Sequence, residues 1–310
     1  MRLAWSSLGL ALAAGLAACL FPDLSALDTG DAGDAGSTDA LADAPPLDAG
    51  VCDPTQPFTA LAPVDALNGE GVASFRPTLT PDELQVWYAI QDSNQTFHMM
   101  HATRTDRSAP FGASAVELAI DSLDPVDPAI SADGLTLVFS AIINNTAILY
   151  RATRASTTSA FGAGSSLVVG SANETAAFLA FDGSLWFSYD QTTNDIATSA
   201  AGAGGWVSTP IIVPALTSSA NDDAVTITHD GLTAYVSSTR TDLTNQGGDD
   251  VFVAHRATTS GTFGALTNAS ELNSGAVERA DWISTDNCRL YLESKRVAGV
   301  SRIYLATKSH

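Results

Sequence analysis

The stretch from Pro128 to Gly162, PAISADGLTLVFSAIINNTAILYRATRASTTSAFG, decides the fold. Ala129-Ile130-Ser131 ends a short apolar strand. Ala132-Asp133-Gly134 is a tight turn, because Asp supplies a side-chain hydrogen bond and Gly a positive φ. Leu135 to Ser140 (LTLVFS) is β-branched and aromatic and predicts a second strand. Ala147 to Thr153 (AILYRAT) predicts a third, and Phe161-Gly162 opens a fourth that ends near Val169. Four short antiparallel strands joined by turns make one blade of a β-propeller.

The unit recurs along the chain. The turn Asp returns at Asp82, Asp182, Asp230 and Asp286, at intervals of about fifty residues. The end of the third strand returns as Ala102-Thr103-Arg104, Ala197-Thr198-Ser199, Ala254-His255-Arg256 and Ala306-Thr307-Lys308. A large aromatic follows as Phe111, Phe161, Trp206 and Phe263. Three markers in phase predict an all-β chain, a five-bladed propeller of four-stranded antiparallel blades. The fifth repeat stops at His310 without an outer strand. The segment Pro57-Phe58-Thr59-Ala60-Leu61 is similar to Thr262-Phe263-Gly264-Ala265-Leu266, so the N-terminal strand is expected to complete the last blade and close the ring.

The repeats Thr80-Pro81-Asp82, Ser131-Ala132-Asp133-Gly134 and Thr228-His229-Asp230-Gly231, with the run from Ser238-Thr239-Arg240 to Val251-Phe252, resemble the PD40, TolB-type β-propeller repeat family. The resemblance covers residues 57–310 and implies the propeller fold; it says almost nothing about activity.

Ahead of the ring, residues 1–18 read as an export signal. Arg2 gives the positive start, and the apolar run from Leu3 to Gly15 is too short for a stable membrane span. Leu16-Ala17-Ala18-Cys19 resembles the bacterial lipobox, which implies cleavage before Cys19 and a lipid anchor on it. Leu20 in the next position implies the outer membrane, with the chain facing the periplasm or the cell surface. Residues 19–56 are rich in Asp, Ala and Gly, without Lys or Arg, and are expected to be a disordered tether. Residues 57–310 form the propeller.

Cys52 and Cys288 remain after Cys19. The start of a fourth strand and the first turn of a meander share one face, so these two cysteines are expected to be neighbours and to form a disulfide in an oxidising compartment.

The mouth of the channel, where the innermost strands begin, is the expected ligand site. Counting back from each turn Asp places Arg76, Asp124 and Asp127, Glu174, Asp222 and Asp223, and Glu278 and Arg279 there, with the loop Asp242 to Asp250 on the same end. These residues either bind a ligand or cap strands and pair locally. No complete catalytic set, cofactor motif or metal-ligand set is recognised. His98 and His101 fall on opposite faces of one strand. Gly247-Gly248-Asp249-Asp250 offers too few hard oxygens for calcium and reads as a flexible turn.

The formal charge of −20 argues against nucleic acid as a partner. The expected function is a non-enzymatic binding module for an envelope protein or a cell-envelope polysaccharide, membrane-bound through Cys19 and monomeric, because a closed ring hides its strand edges. The alternative is a carbohydrate-active enzyme using Asp127 and Glu174; against it, blade one offers Arg76 where such propellers place an aspartate.

Overall fold

The computed structural model describes residues 52–309, apart from 144–145, 168, 170–173, 191–192, 203–204 and 207–208. The segment expected to be an export signal, Cys19 and the part of the expected tether ahead of Cys52 lie outside the described residues.

Five four-stranded antiparallel sheets form a five-bladed propeller. Blade one is Ala73–Leu79, Gln85–Gln91, Phe97–Thr103 and Ala115–Val116. Blade two is Pro125–Ile130, Thr136–Ile143, Thr146–Thr153 and Ser165–Ser166. Blade three is Glu174–Leu179, Leu185–Asp190, Asn194–Ser199 and Ile211–Ile212, with a small ribbon, Ala201–Gly202 and Gly205–Trp206, inserted before its outer strand. Blade four is Asp222–Ile227, Thr233–Ser238, Asp250–His255 and Thr267–Asn268. Blade five is Glu278–Ile283, Arg289–Ser294 and Arg302–Lys308, completed by Phe58–Pro63 from the other end of the chain.

The turn aspartates act through their side chains. Asp133 Oδ1 accepts from Ser131 Oγ at 2.5 Å and Leu135 N at 2.9 Å. Asp82, Asp230 and Asp286 repeat the arrangement with Thr80, Thr228 and Ser284. The next residue takes a positive φ, 70° at Gly134 and 71° at Gly231, which is why Gly recurs there.

The second and third markers turn out to be one device. The arginine ending the third strand lies over the aromatic ring seven residues on: Arg104 over Phe111 at 4.5 Å, Arg154 over Phe161 at 4.8 Å and Arg256 over Phe263 at 4.5 Å. Each arginine also donates Nε to the carbonyl that follows the turn Asp, of Glu83, Gly134 and Gly231 respectively, at 2.6–2.7 Å. Lys308 over Phe58, at 4.9 Å, is the fifth-blade version and identifies Phe58–Pro63 as the missing outer strand. The aromatic therefore does not open the outer strand, as the sequence suggested. It turns inward ahead of it, and blade two's outer strand shrinks to Ser165–Ser166.

Blade three departs in register. Ser131 N, Thr80 N and Thr228 N each donate to a carbonyl five residues on, but Ala180 N donates to Ser184 O, four residues on. Its turn is one residue shorter. With Leu185 opposite Ser199, the arginine position falls on Ala201. The apparent match of Ala197-Thr198-Ser199 to Ala152-Thr153-Arg154 is thus two residues out of structural register.

Five hydrophobic clusters among the described residues each lie between neighbouring blades. Trp186 and Phe178 of blade three, for example, pack with Val236, Phe252 and Phe263 of blade four. Trp87, Trp186 and Tyr235 make edge contacts across the seams to Phe161, Phe263 and Phe58.

Cys52 and Cys288 form a disulfide with Cα atoms 6.1 Å apart, joining residues 236 apart in sequence. Asp53 N also donates to Ser309 O. Contacts with the ring thus begin at Cys52, ahead of the expected boundary at Pro57.

Candidate functional site

The channel mouth is built by the first residues of the inner strands. In blades one to three these strands carry a bulge, with register shifts between Phe75 and Thr78, Val126 and Ala129, and Thr175 and Phe178. At the bulge Arg76, Asp127 and Ala176 adopt φ of 57°, 51° and 50°. A left-handed conformation costs a non-Gly residue roughly 1 kcal/mol or more. Proline follows in blades one and two, at Pro77 and Pro128, where the interrupted ladder makes its missing N–H harmless. The bulge places Arg76 and Asp127 on the channel.

Two ion-pair clusters result. Arg76 Nε lies 3.3 Å from Asp127 Oδ1 and 3.4 Å from Glu293 Oε2, and its Nη1 lies 3.9 Å from Asp281 Oδ1. Asp127 Oδ2 accepts from Ala176 N at 3.1 Å, so it ties blade two to blade three. Asp281 Oδ2 accepts from Glu293 N at 2.8 Å. Burial drives the Asp281 carboxyl well above the usual carboxylate range, and the Arg76 charge only partly opposes it. In the second cluster Arg279 donates to Asp249 Oδ2 at 2.6 and 2.8 Å and to Asp223 Oδ2 at 3.4 Å. Burial pulls the guanidinium pKa down, but Glu293, Asp249 and Asp223 together outweigh it and raise it.

The two clusters line part of a cavity of about 450 Å³. One wall is apolar: Phe75 and Phe97, edge to face at 5.7 Å, with Val126 and the exposed Ile142. The opposite wall is polar, with Thr175, Asn194, Asp223, Arg279, Glu293 and Lys295. Below, Pro77, Pro128, Ala177, Val225 and Asp281 narrow the channel to a void of about 20 Å³, about the room one water needs. The mouth is therefore a cup with one apolar and one charged wall.

Of the residues expected here, Arg76, Asp127, Asp223 and Arg279 line the cup. Asp222 and Glu278 are fully buried one residue earlier and hold the entry loops. Asp222 Oδ2 accepts from Ser218 N at 2.6 Å, and Glu278 accepts from Ser274 N at 2.9 Å and Ser294 Oγ at 2.8 Å. Burial raises the Asp222 carboxyl, with Ser238 and Ser218 opposing. Glu174 occupies the same strand position, buried, while its neighbour Thr175 faces the cup. Asp124 accepts from Phe97 N at 2.7 Å and closes a loop.

Sequence reasoning placed the loop containing Asp249 at this end but gave Asp249 no part in the site, and it missed Asp281, Glu293 and Lys295. The available signal was a charge inside an apolar strand, as in Ala280-Asp281-Trp282 and Leu292-Glu293-Ser294. The loop ending in Asp249 does open at the mouth, but it is not a free turn. A Cβ on Gly247 would lie 2.5 Å from Ala276 O, and Gly248 N donates to that carbonyl.

His98 and His101 part as expected. His98 Nδ1 sits 3.0 Å from Asp121 Oδ1, which together with Asp92 raises its pKa against the effect of burial. His101 stacks on Trp87 at 4.4 Å. Among the described residues no group of three or more His, Cys, Asp or Glu side chains is arranged to hold a metal ion.

No family model and no curated protein matches the chain. Solved structures share its shape. TolB from Acinetobacter baumannii is 18% identical at a TM-score of 0.46, over 76% of this chain and 55% of that one, so the chain spans just over half the length of that protein. The catalytic domain of a GH62 α-L-arabinofuranosidase from Coprinopsis cinerea is 11% identical at a TM-score of 0.52, over 82% of this chain and 97% of that one. A glycosyl hydrolase from Bacteroides ovatus is 14% identical at a TM-score of 0.48, over 77% and 85%. At such identities the likeness extends to the propeller fold alone.

Proposed function

We propose that the chain is an exported propeller, lipid-anchored through Cys19 at the outer membrane, that holds an envelope protein or a cell-envelope polysaccharide in the mouth cup without turning it over. The observation that carries this reading is the state of the carboxylates. Asp127 and Glu293 are tied to Arg76, and Asp223 and Asp249 to Arg279. A carboxylate held by a guanidinium, and in Asp127, Glu293 and Asp223 by a further hydrogen bond from Ala176 N, Ser301 Oγ and Asn194 Nδ2, is a poor nucleophile or proton donor, whereas fixed ion pairs beside an apolar wall suit recognition. The long, acidic segment ahead of Cys52 fits a spacer between anchor and ring. The PD40-type repeats fit the same architecture.

One observation favours a carbohydrate-active enzyme instead. Asp281, its pKa raised by burial beside Glu293, has the character of a general acid. It lies in the constriction, however, and blade three offers the cup Thr175 rather than Glu174.

Cross-linking the full chain in its own envelope, beside Cys19→Ala and Arg279→Ala, tests the proposal. A protein or polysaccharide that co-purifies with the full chain, and falls at least about fivefold with Arg279→Ala, is the expected result. No capture overturns the binding reading. Release of sugar from aryl glycosides, abolished by Asp281→Asn, replaces it with hydrolysis.

A further inference from the structure

We propose that the notch between blades four and five, on the face opposite the mouth, receives an arginine side chain from a partner polypeptide. The repeat itself shows what the notch lacks. In blades one, two and four an arginine fills the seam toward the preceding blade, lying over an aromatic ring and donating to the carbonyl after the turn Asp. Blade five has Lys308, whose ammonium donates instead to Pro54 O at 2.6 Å. A cavity of about 490 Å³ is left at this seam, against about 60 Å³ at the seam that Arg256 closes.

The lining suits a guanidinium. Asn287 stands directly after the turn Asp286, at the position whose main-chain carbonyl accepts from the arginine in the sister blades; its side-chain Oδ1 is buried and has no hydrogen-bond partner among the described residues. Phe58 and Tyr235 supply ring surface. Asp230 and Glu271 bring two carboxylates against the single ammonium of Lys308, so the notch has an excess of negative charge. A planar guanidinium can stack flat on a ring while its edge donates to Asn287 and a carboxylate at once; a lysine ammonium has no plane to stack, and a neutral amide brings no charge. The seam between blades two and three also lacks the arginine and keeps a cavity of about 440 Å³. There one carboxylate, Asp133, and one guanidinium, Arg151, both line the cavity, so charge favours no cation, and that seam serves as an internal control.

The test titrates the full chain with N-acetyl-arginine amide, and separately with the citrulline and lysine analogues, by ligand-detected NMR. Saturable arginine binding with at least about tenfold preference over citrulline is expected. Lys308→Arg, which fills the notch from within, abolishes it, and Glu271→Gln, on the exposed rim, weakens it about fivefold. Ala201→Arg, in the control seam, leaves it unchanged. Absence of saturation, equal binding of citrulline, or arginine binding undiminished in both Lys308→Arg and Glu271→Gln overturns the proposal. So does equal loss in Ala201→Arg.

Discussion

The seam between blades one and two and the seam between blades two and three descend from the same repeat and are closed differently. At the first, Arg154 lies 5.0 Å from the Trp87 ring and 4.8 Å from the Phe161 ring. It donates to Gly134 O at 2.6 Å and across the seam to Gln85 Oε1 at 3.1 Å. At the second, Val138 stands in the register of Trp87, Ala201 in that of Arg154, and Trp206 replaces the phenylalanine. Trp206 Nε1 donates to Gly183 O at 2.9 Å, taking over the bond to the turn. An indole has one N–H where a guanidinium has five, so its hydrogen bond serves the turn and none is left to donate across the seam. What survives is the hydrogen bond that holds the blade together; what is lost is the filling between blades.

The comparison implies that each seam is only as strong as its clip; the closure of the ring, within blade five, carries a covalent clip of its own. Reducing the Cys52–Cys288 disulfide, or replacing both cysteines with serine, should cost about 5 kcal/mol through the loop it closes. Urea unfolding with and without reductant reads this directly; an unmoved midpoint would mean that the strand Phe58–Pro63 holds the ring by itself. Arg154→Ala should cost about 3 kcal/mol, because it strips two rings of their cation and leaves buried acceptors unpaired. A loss below about 1 kcal/mol would show that apolar packing, not the clip, joins the blades.

His101 adds a pH signature to the intact seam. Burial, helped by the Arg154 charge, lowers its pKa from 6.5 to about 4. The unfolded chain therefore takes up this proton first as pH falls. The stability contributed is complete above 6.5 and is lost as pH falls through the folded value near 4. His101→Gln should flatten the fall in melting temperature across that window by the equivalent of about 1–2 kcal/mol. Identical pH profiles would disprove the assignment. The smallest effect is expected at the open seam, where Ala201→Arg should gain at most about 1 kcal/mol, since Arg151 already lines the cavity.

Much of the ring was legible because its signals are local. Asp133-Gly134 is a turn whatever surrounds it, and the arginine-to-phenylalanine spacing marks a clip within one blade. The candidate site was less legible. Two-residue alternation cannot say whether Glu174 or Thr175, Asp222 or Asp223, faces the cup, because the inner strands are bulged in different places. Glu293 belongs to a second strand and reaches the mouth beside Arg76 only because blade five closes against blade one.

By itself the amino-acid sequence determined the number of blades, the strand that closes the ring and the cysteines that lock it, since period, turn chemistry and phase are all carried along the chain. Only the tertiary structure decided which carboxylates meet Arg76 and Arg279 and which seams stay open. Those outcomes depend on side chains from different blades, on one-residue shifts in register, and on whether an arginine is there to fill the space between two sheets.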